Sequence, residues 1–147
     1  MDPKVTTEIR NQVDQVLVRL ARVPEQPPGL GWDPQDLNGA CAVASWLLFR
    51  ALRDQGVEAD FCISADEGHC FCMVGDFVVD PTARQFGFCP DVVVAETQYL
   101  TQRYRQGDEE FPWALGRRVS TEPEIQEILA DWTPDQQPRY YQDKGIL

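Results

Sequence analysis

The chain has 147 residues, about one domain's worth, and its 43% hydrophobic content is that of a folded protein with a buried core. A formal net charge of −11 argues against nucleic acid or an anionic membrane as partner, since both demand clustered Lys and Arg; a neutral or basic partner suits it better. No apolar run nears the roughly 20 residues of a membrane span, so no membrane role is expected.

Met1 to Arg10 carries alternating charges in place of a basic patch followed by an apolar stretch. No secretory signal is visible there, and synthesis in a reducing cytoplasm is the expectation. Five cysteines, an odd number, lack the even framework of a disulfide scaffold and are expected as free thiols.

Asp2-Pro3 can cap and open a helix, along which Ile9, Val13, Val16, Leu17 and Leu20 recur at three- and four-residue steps. The segment Pro24 to Pro34 is rich in proline and glycine and cannot continue it. A second, largely buried helix is predicted over 40–55, with Asn38 as its cap and Gly56 as its stop. Three strands follow over 57–64, 69–74 and 77–80, the last two joined by Gly75-Asp76. Further on, 92–95 reads as a strand, 98–105 as a short helix, and Thr121 with Glu124 as a capping box opening a helix to Trp132. Residues 1–132 are thus predicted to form one domain, its core over 35–95, and the polar segment 133–147 a loosely held tail.

The hairpin constrains the only histidine. With Gly75-Asp76 as the turn, Val74 pairs with Phe77, Met73 with Val78 and Cys72 with Val79, so His69, Phe71, Met73, Val78 and Asp80 share one sheet face. His69 and Asp80 are then diagonal neighbours, about 7–8 Å apart at the backbone and able to hydrogen-bond. A one-residue slip in register would separate them. Cys70 and Cys72 fall on the opposite, apolar face and read as core residues.

Cys41 is predicted in the first turn of the second helix, where free N–H groups and the helix dipole favour thiolate over thiol. His69 as base and Asp80 as the group that orients it would complete a thiol triad. The Cys41 backbone N–H and the Gln35 side chain are candidate oxyanion donors, and Trp32 could wall a substrate cleft.

The segments Asn38-Gly39-Ala40-Cys41, Leu52-Arg53-Asp54-Gln55-Gly56-Val57-Glu58-Ala59, His69-Cys70-Phe71 and Val79-Asp80-Pro81-Thr82 together resemble the transglutaminase-like branch of the papain-fold superfamily. That resemblance spans Asn38 to Thr82 and implies an α+β fold with a papain-like core, the nucleophile helix packed against a small antiparallel sheet. It also implies catalysis by Cys41, His69 and Asp80. The run Asp80-Pro81-Thr82-Ala83-Arg84-Gln85-Phe86 looks like bacterial papain-fold toxin and effector domains, many of which deamidate protein glutamine, and such effectors can be delivered into another cell. Gln35 is similar in spacing to the oxyanion-hole glutamine of papain. Leader peptidases of lasso-peptide pathways share the same order of motifs, and Phe71 stands where transglutaminase-like members often have Trp.

Plainer readings compete for each residue. A lone Cys in an apolar helix is more often core than nucleophile, an Asp before Pro is often a turn former, and Gln35 can be a solvated loop side chain. A zinc site from Cys62, His69, Cys70, Cys72 and Cys89 lacks a Cys-x-x-Cys pair. Trp46, Trp113 and Trp132 read as packing residues, and Arg117-Arg118 as too small a basic patch to mean much. Taken jointly, the residues favour a thiol-dependent amide hydrolase that uses neither metal nor organic cofactor and acts on a protein or peptide. Glutamine deamidation is the first choice, peptidase or transglutaminase chemistry the second, and a non-catalytic binding domain the third.

Overall fold

A computed structural model describes residues 1–21, 40–88, 91–104 and 111–132. Among the described residues, four α-helices accompany a five-stranded antiparallel sheet of order β4-β3-β2-β1-β5. The expected tail over 133–147 lies outside the described residues.

Helix α1 (Pro3–Ala21) opens as the sequence predicts: the Lys4 N–H donates to the Asp2 carboxylate at 2.8 Å, and proline occupies the first helical position. Its buried stripe is Ile9, Gln12, Val13, Val16 and Leu20. Helix α2 (Cys41–Asp54) buries Cys41 through Phe49 without interruption, because it is covered on several sides. Ala40, rather than the predicted Asn38, is its N-cap residue, and it makes no side-chain cap bond. The helix ends as Gly56 turns to a φ of +78°, with the Gly56 N–H donating to the Arg53 carbonyl and the Val57 N–H to that of Leu52. That last bond ties Val57 to the helix terminus. Strand β1 (Asp60–Ser64) therefore starts three residues later than the run of apolar residues suggests.

Strands β2 (Cys70–Val74) and β3 (Phe77–Asp80) pair in the predicted register, Cys72 with Val79, Met73 with Val78 and Val74 with Phe77. Gly75 supplies the positive φ, +58°, that such a two-residue turn requires. A 3-10 turn over Ala83–Phe86 follows, then β4 (Val93–Glu96), which pairs with β3, and α3 (Thr97–Tyr104). Strand β5 (Leu115–Val119) pairs with the far side of β1, and α4 (Glu122–Trp132) closes the fold.

The alternation of side chains divides the interior in two. On one face Phe61, Ile63, Cys70, Cys72, Val79 and Val119 pack under α1, α2 and α4. On the other, Cys62, Phe71, Met73, Val78 and Val93 pack under Leu100, Phe111 and Trp113. Val119, Ile125 and Leu129 belong to the first core, so the packed interior extends beyond 35–95. Among the described residues no helix is long and apolar enough to cross a membrane.

Candidate active site

His69 sits immediately before β2, and the β1–β2 turn fixes its backbone from both sides. Its N–H donates to Ser64 Oγ at 3.0 Å and its carbonyl accepts from the Ser64 N–H at 2.9 Å. Ser64 Oγ donates in turn to Asp66, whose carboxylate also accepts from the Gly68 N–H. This turn carries the one non-glycine positive φ among the described residues, +62° at Glu67. Backbone strain of this kind persists only where the surrounding structure enforces it.

Asp80, at the end of β3, is fully buried and meets four donors. Its Oδ2 accepts from His69 Nε2 at 2.7 Å and from Trp113 Nε1 at 2.8 Å. Its Oδ1 accepts from the Thr82 N–H at 2.9 Å and from Thr82 Oγ1 at 3.2 Å. Burial alone would push the carboxyl up, but the charge of His69 and the bonds from His69, Trp113 and Thr82 outweigh it and hold Asp80 below its ordinary value. For His69, burial opposes the cation, yet the Asp80 carboxylate and the Cys41 thiol raise the imidazole to about 10. The ring is held edge-on by Phe86 at 4.7 Å between centroids and flanked by Phe71 at 6.0 Å.

Cys41 is the first residue of α2, at the positive end of the helix. The influence of Cys70 and of the His69 ring reaches its thiol. Because Nε2 is held by Asp80, Nδ1 is the nitrogen left for a second partner. The contact with Cys70 lowers the thiol pKa most; burial opposes this, and the bond and charge of His69 bring it well below the ordinary value. Burial dominates at the other thiols, raising Cys62 to about 12 and holding Cys70 and Cys72 well above the usual range. Among the described cysteines with a resolved shift, Cys41 alone is shifted toward the thiolate.

Access is narrow: Cys41 is 6% and His69 4% exposed. A cleft of about 580 Å³ lies on the α2 face of the sheet, with Ile63, Ser64, Glu67, Gly116, Arg117 and Ile128 in its lining. Ile63 is the register partner of both Cys70 and Arg117, so the cleft opens one strand away from Cys70. The basic pair divides: Arg118 donates to Asp60 and to the Gly75 carbonyl, while Arg117 lines the cleft.

Gln35 and Trp32 lie outside the described residues, as does Cys89. Cys62 faces away from Cys70 and Cys72, on the opposite side of the sheet. Two polar partners of the triad escaped the sequence reading. Gln85 Nε2 donates to Thr82 Oγ1 at 3.0 Å and stands 3.4 Å from His69 Nδ1. Trp113 anchors Asp80 from 33 residues away, and an isolated tryptophan carries no signal of such a bond. Gln85 was in view, five residues after Asp80, but only the turn at Thr82 brings its amide back to the ring.

A Trp113→Phe substitution tests this anchor. The ring contacts with Phe86, Tyr104 and Phe111 can persist, whereas the N–H to Asp80 is lost. Urea unfolding is expected to show a loss of about 1.5–3 kcal/mol, typical of a bond to a charged acceptor. A loss within measurement error would mean that the bond contributes nothing net.

No protein-family model, curated protein or solved structure matches the chain.

Proposed function

We propose that the protein is a thiol-dependent amide hydrolase of papain-like, transglutaminase-like type, and that it deamidates glutamine in a protein substrate. The observation carrying this reading is a buried His69–Asp80 pair whose imidazole depresses the pKa of a thiol at the first residue of a helix. Cys41 attacks the carboxamide carbon as thiolate, and the backbone N–H groups of the first turn of α2 face the developing oxyanion. His69, held by Asp80 and protonated at Nδ1, delivers that proton to the departing nitrogen. Ammonia leaves, the neutral imidazole then activates water, and the thioester is hydrolysed to glutamate. No metal ion enters these steps.

One detail favours a primary carboxamide over a peptide bond. The amide nitrogen of Gln85 rests 3.4 Å from Nδ1, so the space beside the proton-delivering atom accommodates an –NH₂ group. A substrate glutamine would displace Gln85 and place its own amide there. Deamidation of protein glutamine is also the activity of many bacterial effectors that the 80–86 run resembles, which supports the same choice.

The test is intact-mass analysis of glutamine-containing proteins, β-casein among them, together with ammonia release. Deamidation adds about one mass unit per site and leaves the chain whole, and Cys41→Ala is expected to lower the rate by about 10⁴-fold. Chain cleavage would assign peptidase chemistry instead. Retention of the activity in Cys41→Ala would remove the thiol from the reaction, and binding of a protein without turnover would favour the non-catalytic domain.

A further inference from the structure

Cys41 has a second sulfur beside it, and the packing explains why. The Cys72 thiol donates to the Ser45 carbonyl at 3.2 Å, so the backbone of α2 lies directly against side chains of β2. One helical turn before Ser45 is Cys41, and two strand residues before Cys72 is Cys70; both steps cover about 6–7 Å. Cys41 therefore lies over Cys70 as Ser45 lies over Cys72, and both side chains are buried in the same core. Cys70 is wholly buried, whereas Cys41 retains a small exposed surface. Cys72 is held by Ser45, and Cys62 faces the other side of the sheet.

We propose that Cys41 and Cys70 are a modification site, forming a reversible disulfide when a hydroperoxide oxidises Cys41. The Cys41 thiolate attacks one peroxide oxygen: an S–O bond forms, the O–O bond breaks, and the departing hydroxide takes the His69 imidazolium proton to leave as water. The Cys70 sulfur then attacks the sulfenic sulfur. The S–S bond forms, the S–O bond breaks, and the hydroxide released carries away the Cys70 proton as a second water. Two thiol sulfurs lose two electrons, and the peroxide gains them. The bridge removes the nucleophile without exposing it to further oxidation, and an external thiol restores it. This depends on the reactivity of Cys41 and not on which amide it cleaves.

The experiment uses the full chain and hydrogen peroxide in about fivefold molar excess at pH 7, enough for two oxidation steps at one thiol, followed by quenching and a non-reducing peptide map. The expected result is a peptide pair joining Cys41 to Cys70, with a loss of about two mass units from the intact protein. Iodoacetamide labelling of Cys41 is expected to fall at least about tenfold and to recover fully with dithiothreitol. In Cys70→Ala and Cys70→Ser, Cys41 should instead pass to sulfinic acid, and labelling should not recover. A wild-type map showing sulfinic Cys41, unreacted Cys41, or Cys41 bridged to another cysteine would overturn the proposal. Since the wild-type map alone decides, a poorly folded Cys70 variant cannot obscure the outcome, and intact amidase activity before oxidation separates this failure from that of the proposed function.

Discussion

At pH 6, iodoacetamide is expected to alkylate Cys41 about a thousandfold faster than Cys62, Cys70 or Cys72. The reactive form is the thiolate, and the four sites differ in how much of it they hold. Cys41 is drawn well below the ordinary thiol value by Cys70 and His69, against the effect of burial. Cys62 is pushed to about 12 by burial, so at pH 6 its thiolate fraction is on the order of 10⁻⁶. A weakly basic thiolate is intrinsically less nucleophilic, which returns roughly half of this advantage on a logarithmic scale. The pH profile is more telling than the ratio. An unassisted thiol gains about tenfold in rate per pH unit up to its pKa near 8.5. Cys41 should show no such rise between pH 7 and 9, because its partner His69 keeps its proton up to about 10. A rise of about tenfold between pH 7 and 8 would mean that no ion pair exists.

The parts of the molecule that could be read from the sequence are those whose pattern is enforced by burial on a single face. The β2–β3 hairpin is one. Shifting its register by one residue would move Phe71, Met73 and Val78 out of one core and Cys72 and Val79 out of the other, so alternation and turn chemistry together specify it. The meeting of His69 with Asp80 followed from that register. Strand β5 was not legible, for the converse reason. Leu115, Gly116, Arg117 and Arg118 are all exposed on an edge strand, and with neither face buried there is no alternation to detect. Gly116 shows what fixes its position: a side chain there would come within 2.8 Å of the Ala65 and Ser64 backbone, so the strand approaches β1 only because that residue is glycine. Trp113 was hidden similarly. Its hydrogen bond to Asp80 joins residues 33 apart in sequence, and nothing local in composition marks it.

Asp80→Asn is expected to cost more than any other conservative change in the described structure. The substitution preserves shape while reversing the bonding capacity of one oxygen. If the asparagine carbonyl takes the Oδ1 place and accepts from Thr82, its –NH₂ is aimed at His69 Nε2 and Trp113 Nε1, both of which now donate to Oδ2. The indole cannot reverse its role. The imidazole can, by moving its proton to Nδ1 and accepting at Nε2, but that tautomer has no lone pair left at Nδ1 to take the thiol proton. Catalysis should fall by about 10⁴-fold, the cost of holding a triad histidine in the wrong tautomer. Stability should fall by roughly 3 kcal/mol near neutral pH, the low end for a broken buried ion pair, since histidine can shed its charge. The pH dependence gives the sharper test. The carboxylate of Asp80 is held below its ordinary 3.8, so its contribution is present above that value and disappears as the pH falls through the lowered one. His69 is raised from 6.5 to about 10, so its contribution is complete below 6.5 and declines as the pH rises to about 10. The gap in unfolding free energy between wild type and Asp80→Asn should therefore be widest between about pH 4 and 6.5 and narrow steadily above it. Urea denaturation at pH 5 and pH 9.5 measures it, and an equal gap at both would mean that the imidazole is not held as a cation by this carboxylate.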